Sequence, residues 1–298
     1  MNFGLLRIAI ALGGTAAAAY QDHKTSFIDD RITIGMIAAG FALNLLTFDY
    51  SFIAFSIGIS LAILGVGFIA YKTGQLGGGD VLLFAGLHAL LPVFPLVLFD
   101  AVKGFYPTAT AQAVSFVAQT NAYPFFFSVF ISASLFAMLG SAIQYALVLR
   151  GKKLKPDVLP AALVGGGALA SIALINSFLG LSLAQAALFS AVFIPGLFLI
   201  AFKKQILSQA IIKRIALAEI EDEDVLATEE MPDSLMEKYG LSKVITKREL
   251  EKLKKIKANK EMELFPVYKN LPRFGPYILA GLMVSLLTAD LFVLLLLF

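Results

Sequence analysis

Hydrophobic residues run along this chain in long stretches broken by short polar interruptions, with no strict alternation that would spell strands. Scanned for runs of about 20 apolar residues, the length that crosses roughly 30 Å of hydrocarbon, the sequence predicts about eight helices. They lie near 3-21, 32-48, 52-71, 80-102, 124-149, 158-178, 181-202 and 274-298. The runs are too long and continuous for the ten-residue alternating strands of an outer-membrane barrel. One stretch departs from the pattern: at 203-273 hydrophobicity falls and most acidic residues collect. Within it Thr246-Lys247-Arg248-Glu249 has the form of a capping box, with Ile245 and Leu250 as a hydrophobic staple, and predicts a helix to about Ala258. Ile215 to Ile220, Val225 to Thr228 and Leu264 to Tyr268 are candidate short strands. The expected fold is therefore an all-α polytopic membrane protein with a small α+β cytosolic domain. Residues 1-202 carry seven helices including the catalytic core, 203-273 form the domain, and 274-298 supply the final helix.

Composition agrees with this picture and narrows the chemistry. Hydrophobic residues make up 58% of the 298 and charged residues only 15%, which is outside soluble usage. Cysteine is absent and histidine occurs only as His23 and His88, which excludes thiol catalysis and leaves no ordinary zinc site. Neither an HExxH nor a GxSG sequence is present, so hydrolysis, if this chain performs it, falls to carboxylates, with no cofactor and no metal.

The positions of the basic residues orient the chain. Lys24, Arg31, Lys72, Arg150, Lys152, Lys153, Lys155 and the basic residues of 203-273 fall on one side of the predicted helices, and only Arg7 and Lys103 on the other. The excess of positive charge on cytosolic loops places the N-terminus outside. Two helices separate Asp22 from Asp80, so both aspartates emerge on the cytosolic side. Asp49, Asp100 and Asp290 map to the outer side by the same parity, while Asp29, Asp30 and Asp157 remain cytosolic competitors.

Ionisable groups at a bilayer boundary are costly unless they work. Asp80 closes the run Leu76-Gly77-Gly78-Gly79-Asp80, in which Gly77, Gly78 and Gly79 remove side chains where an extended substrate backbone would have to approach. Two neighbouring carboxylates share one proton, so one can activate water while the other polarises a carbonyl. Judged by helix ends alone, Asp80 at a helix start is the more readily ionised member and Asp22, after a helix end, the more often protonated one. The structural alternatives are an N-cap role for Asp80 and simple solvation for the acidic run Glu219, Glu221, Asp222, Glu223, Asp224, Glu229 and Glu230. The functional role open to that run is attraction of a basic partner segment.

The stretch Asp22-His23-Lys24-Thr25-Ser26-Phe27-Ile28-Asp29-Asp30-Arg31-Ile32-Thr33 resembles the first motif of type IV prepilin and preflagellin peptidases. Leu76 to Asp80 is similar to their GxGD motif, which presenilins and signal peptide peptidases share, and Leu271 to Tyr277 is similar to their PFGP stretch. The resemblance implies a GxGD membrane aspartic endopeptidase that removes short basic leaders from type IV pilin-like or archaellin precursors at the cytosolic face. Asp22 and Asp80 carry over as the catalytic pair, with Gly77, Gly78, Gly79, Lys24, Asp29, Asp30, Pro272, Phe274, Gly275 and Pro276 binding substrate or shaping the site. The implied partners are the precursor, with its basic leader and apolar helix, and the lipid bilayer, with no nucleic acid. The absence of cysteine sets the chain apart from bacterial members with a cysteine-rich insertion and brings it closer to archaeal ones. Two other classes use the same acids: a presenilin-like protease cutting deeper in the bilayer, and a proton- or cation-coupled transporter. Residues 104-200 carry no recognisable motif.

Overall fold

The computed structural model describes residues 3-288 apart from 107, 109, 110, 113, 114, 116-122, 154, 180-182, 222, 223 and 270. Helices coincide with the predicted apolar runs: α1 (Gly4–Thr25), α2 (Asp30–Leu45), α3 (Tyr50–Lys72), α4 (Gly78–Leu90), α5 (Leu96–Val102), α6 (Phe125–Leu149), α7 (Val158–Leu179), α8 (Leu183–Ala201) and, after the sheet, a last helix Gly275–Thr288. Asp290 and the end of the predicted final helix lie outside the described residues.

The expectation of one helix over 80-102 is corrected. α4 stops at Leu90 and the chain resumes as α5 only after a bend that contains Pro92 and Pro95. Neither proline can donate a backbone N–H, and each biases the residue before it away from helix. The 13 residues of α4 reach about 20 Å, less than the ~30 Å of a full crossing. Its open carbonyls are answered by buried side chains: Arg7 Nη1 donates to Leu90 O at 3.0 Å and Asn44 Nδ2 to Ala89 O at 3.0 Å. The count of eight crossings is thus not reproduced. Among the described residues two helices, Tyr50–Lys72 and Phe125–Leu149, are long and apolar enough to cross a membrane. A third qualifies if Val192–Ala201 and Lys203–Ile211, bent by 67°, count as one.

α4 sits in the middle of the bundle. Every residue from Val81 to Leu90 except Leu82 is buried, and the helix packs between α2 and α3 with α1 and α6 alongside. The core joins Met36, Leu83, Phe84, Leu87, Leu90, Phe125, Val129, Ile278 and Leu282. Phe84 meets Phe126, Phe130 and Phe274 with ring centroids 5.5–6.0 Å apart, an arrangement aromatic quadrupoles favour. The outward face of α3 carries Leu61, Val66, Phe68 and Ile69, all exposed, as expected of a bundle whose solvent is hydrocarbon.

Residues 212-268 build a three-stranded antiparallel sheet in the order β1-β3-β2, from β1 (Ile212–Ala216), β2 (Val225–Leu226) and β3 (Leu264–Tyr268). It has its own core of Leu226, Ile245, Leu253, Ile256, Phe265 and Val267. Between β2 and β3 lie α9 (Asp233–Tyr239) and α10 (Lys247–Ala258), and the last helix is α11 (Gly275–Thr288). The predicted strand Ile215 to Ile220 forms three residues earlier, and Leu217–Glu219 is a 3-10 turn. The helix to Ala258 forms as expected, and Ile245 and Leu250 join one cluster. Its capping box does not close: Thr246 makes no side-chain cap bond, and Glu249 instead accepts from Ser242 N at 3.2 Å and pairs with Lys252 at 2.8 Å.

Candidate active site

Asp22 belongs to the last turn of α1, which continues to Thr25 where the sequence pattern ended it at 21, and the side chain is 7% exposed. Asp80 is the third residue of α4 and is half-buried. It is not the N-cap: that place belongs to Gly77, which lies close against the carboxyl, since a Cβ there would stand 3.0 Å from Asp80 Oδ2. The two acids come to the same end of the bundle, close enough for the charge on Asp22 to act on Asp80.

Two close contacts assemble this end. Gly275 donates its backbone N–H to Asp22 Oδ2 at 2.8 Å, a bond across 253 positions of chain. A Cβ on Gly275 would stand 3.0 Å from both Cβ and Oδ2 of Asp22 and 3.2 Å from Ala19 Cα, so the approach of α11 to α1 requires glycine. At Gly79 a Cβ would lie 2.8 Å from Ile28 Cβ, so the first turn of α4 presses against the α1–α2 loop there. The glycines thus have a packing reason beside the access expected of them. Gly78 has only ordinary contact, with Tyr71.

The other expected site residues divide. Phe274 stacks into the aromatic core beside Phe84, while Pro272 and Pro276 flank the Gly275 contact, both half-buried. Asp29 is the N-cap of α2, accepting from Arg31 N at 2.9 Å, and its own N–H is held by Gln21 Oε1 at 3.0 Å. Asp30 opens α2 and is exposed. Lys24 turns back over the Tyr20 ring, 4.6 Å from its centroid. Of the remaining competitors Asp157 pairs with Lys204 at 2.8 Å; of the aspartates mapped to the outer side, Asp100 pairs with Lys103 at 2.9 Å and Asp49 caps α3. The acidic run is largely committed within its own sheet: Asp224 to Lys269, Glu229 to Tyr268 and Glu230 to Arg214, while Asp222 and Glu223 lie outside the described residues.

Sequence reasoning passed over Arg273. Its Nη1 donates to His23 O and its Nε to Ser26 Oγ at 3.2 Å, which ties the entry to α11 to the end of α1. The signal was a cation inside a stretch otherwise read for its prolines and glycine. Among the described residues no group of His, Asp and Glu could hold a metal ion. Chemically, the arrangement offers two carboxyls whose charges act on one another, groups of the type that serve as acid and base.

Comparison with known proteins bears on the same residues. Residues 9–143 match the model of the type IV leader peptidase family. A stretch of 150 residues is 30% identical to prepilin peptidase EppA of Methanothermobacter thermautotrophicus, covering 49% of this chain and 36% of that protein, so the match spans about a third of the relative's length. No solved structure matches the chain. Asp22, Gly77 to Asp80 and the α4 core all fall inside the segment that is similar to the type IV leader peptidase family.

Proposed function

We propose that the chain is a membrane aspartic endopeptidase that cleaves short basic leader peptides from type IV pilin-like or archaellin precursors. Cleavage takes place at the cytosolic membrane boundary, with the N-terminus outside and 203-273 as a cytosolic domain. The observation that carries the reading is the meeting of Asp22 and Asp80 at one end of the bundle within the family-matched segment. One carboxylate takes a proton from water as its oxygen attacks the scissile carbonyl carbon. The other gives its proton to the carbonyl oxygen. Collapse of the resulting diol breaks the C–N bond: one diol hydroxyl returns its proton to the second carboxylate, and the proton first taken from water passes from the first carboxyl to the departing amine. The mechanism needs no covalent intermediate. A half-buried position at a helix end strengthens the coupling of the pair and keeps a route for water.

The test is cleavage of a peptide that joins a basic leader to an apolar helix, by the purified full chain and by Asp22→Asn and Asp80→Asn. Loss of cleavage in both variants with folding retained is expected. If either neutralised variant cuts at the wild-type rate, the reading is wrong. If none cuts while ion flux depends on the acids, a transporter replaces it, and a cut deep within the apolar helix would mark a presenilin-like enzyme.

A further inference from the structure

The site is asymmetric, and the asymmetry assigns the two carboxyls different work. Asp22 Oδ2 receives the first amide of α11 at 2.8 Å. Pro276 follows with no N–H to offer, so the hydrogen bond at this helix start is the one from Gly275. Arg273, two residues earlier, is latched to His23 O and Ser26 Oγ, and its charge acts on Asp22. Asp80 has Gly77 close against its carboxyl, in place of an amide brought from another helix, and faces the negative charge of Asp22. The charged or titratable groups that act on Asp22 are Asp80 from α4, Arg273 from the segment before α11 and His23 from its own helix.

We propose that Arg273 is a positioning residue which, together with the Gly275 amide, holds Asp22 as the ionised, water-activating member of the pair and leaves Asp80 as the proton donor. A hydrogen bond to the charged form and a nearby cation both favour the carboxylate, and the resulting anion then keeps the proton on its neighbour. This reverses the assignment drawn from helix ends alone. The dipole of α1 does disfavour an anion in its last turn, but α11 brings its own first amide to the same oxygen. That contact exists only in the folded bundle. The inference rests on the proteolytic reading and adds to it a division of labour.

The experiment is the pH profile of kcat/KM for the full chain on the basic-leader peptide, for wild type, Arg273→Gln, Arg273→Lys and Ser26→Ala. The acidic limb reports protonation of the base. Removing the cation makes the Asp22 carboxylate harder to form, so in Arg273→Gln that limb moves to higher pH, by about half a unit or more. Arg273→Lys keeps the charge and restores most of the wild-type limb, and Ser26→Ala, which only loosens the latch, gives a smaller move in the same direction. A fall in kcat with an unmoved acidic limb, or a move confined to the basic limb, overturns the assignment. Should Arg273→Gln fail to fold, the Ser26→Ala and Arg273→Lys profiles carry the test alone. Cleavage surviving Asp22→Asn would instead sink the proteolytic reading itself, which separates the two failures.

Discussion

Arg7 Nη1 donates to Asn44 Oδ1 at 2.6 Å, and both side chains, buried to within 9% and 1% exposure, turn toward the carbonyl end of α4. A helix that stops inside a bundle leaves carbonyls with no water to meet them. Asn44 also donates to Ser56 Oγ at 2.8 Å, so α1, α2, α3 and α4 share one polar joint around the break. The joint explains why a charged side chain is kept in the apolar first half of α1.

Asn44→Leu should therefore destabilise the bundle. It strips Ala89 O of its donor and Arg7 of an acceptor, and each orphaned buried group costs about 1–3 kcal/mol. The check is the midpoint of unfolding in detergent, with Asn44→Asp as the variant that keeps the acceptor for Arg7 and loses only the donors.

Gly275→Ala should slow cleavage as well as reduce stability. Its Cβ would meet Asp22 and the Ala19 backbone at 3.0–3.2 Å, so the helices must part by a few tenths of an ångström. A misplacement of a full ångström costs a reacting group on the order of 100-fold in rate, so a shift of tenths at Asp22 should cost roughly several-fold, beside about 1–3 kcal/mol of stability for overpacking. Parallel measurement of kcat/KM and thermal midpoint separates the two.

Activity should follow a bell in pH because the working pair holds one proton. On the acidic side both carboxyls are protonated and water finds no base. On the alkaline side both are ionised and the carbonyl finds no acid. A rate profile that rises through one limb only would show that a single group titrates, contrary to a shared proton.

Asp224→Asn should loosen the sheet without touching the dyad. Lys269 Nζ reaches both Asp224 carboxylate oxygens, at 2.8 and 2.7 Å, with the two side chains 26% and 12% exposed. Losing one partner of such a half-buried pair costs about 1–3 kcal/mol. Faster amide hydrogen exchange across β2 and β3, with unchanged exchange in α4, is the expected result.

The contact between the sheet and the α3–α4 turn offers one more measurement. Gly74 sits at φ +70, and a Cβ there would lie 3.1 Å from Val225 Cγ1. Gly74→Ala should cost about 1 kcal/mol from the left-handed backbone. It should also slow cleavage, since the turn leads directly into Gly77–Asp80. Unchanged cleavage would show that the turn does not steer the loop.

Much of this molecule is written in one dimension. The apolar runs mark where α1, α2, α3 and α6 lie, because a helix in hydrocarbon satisfies its backbone within its own segment and needs only local composition to declare itself. Parity of those runs places Asp22 and Asp80 at one end, and the motifs around them are local strings. The polar groups that answer the carbonyls at the end of α4 and the place of the Gly275 amide depend on partners 45 to 253 residues away, and a run of apolar letters carries no record of them. From helix ends alone Asp80 would be the ionised acid. The packing of α11 on α1 reverses that assignment in our proposal, because hydrogen bonds and charge act through space, and only folding decides which amide meets which carboxylate.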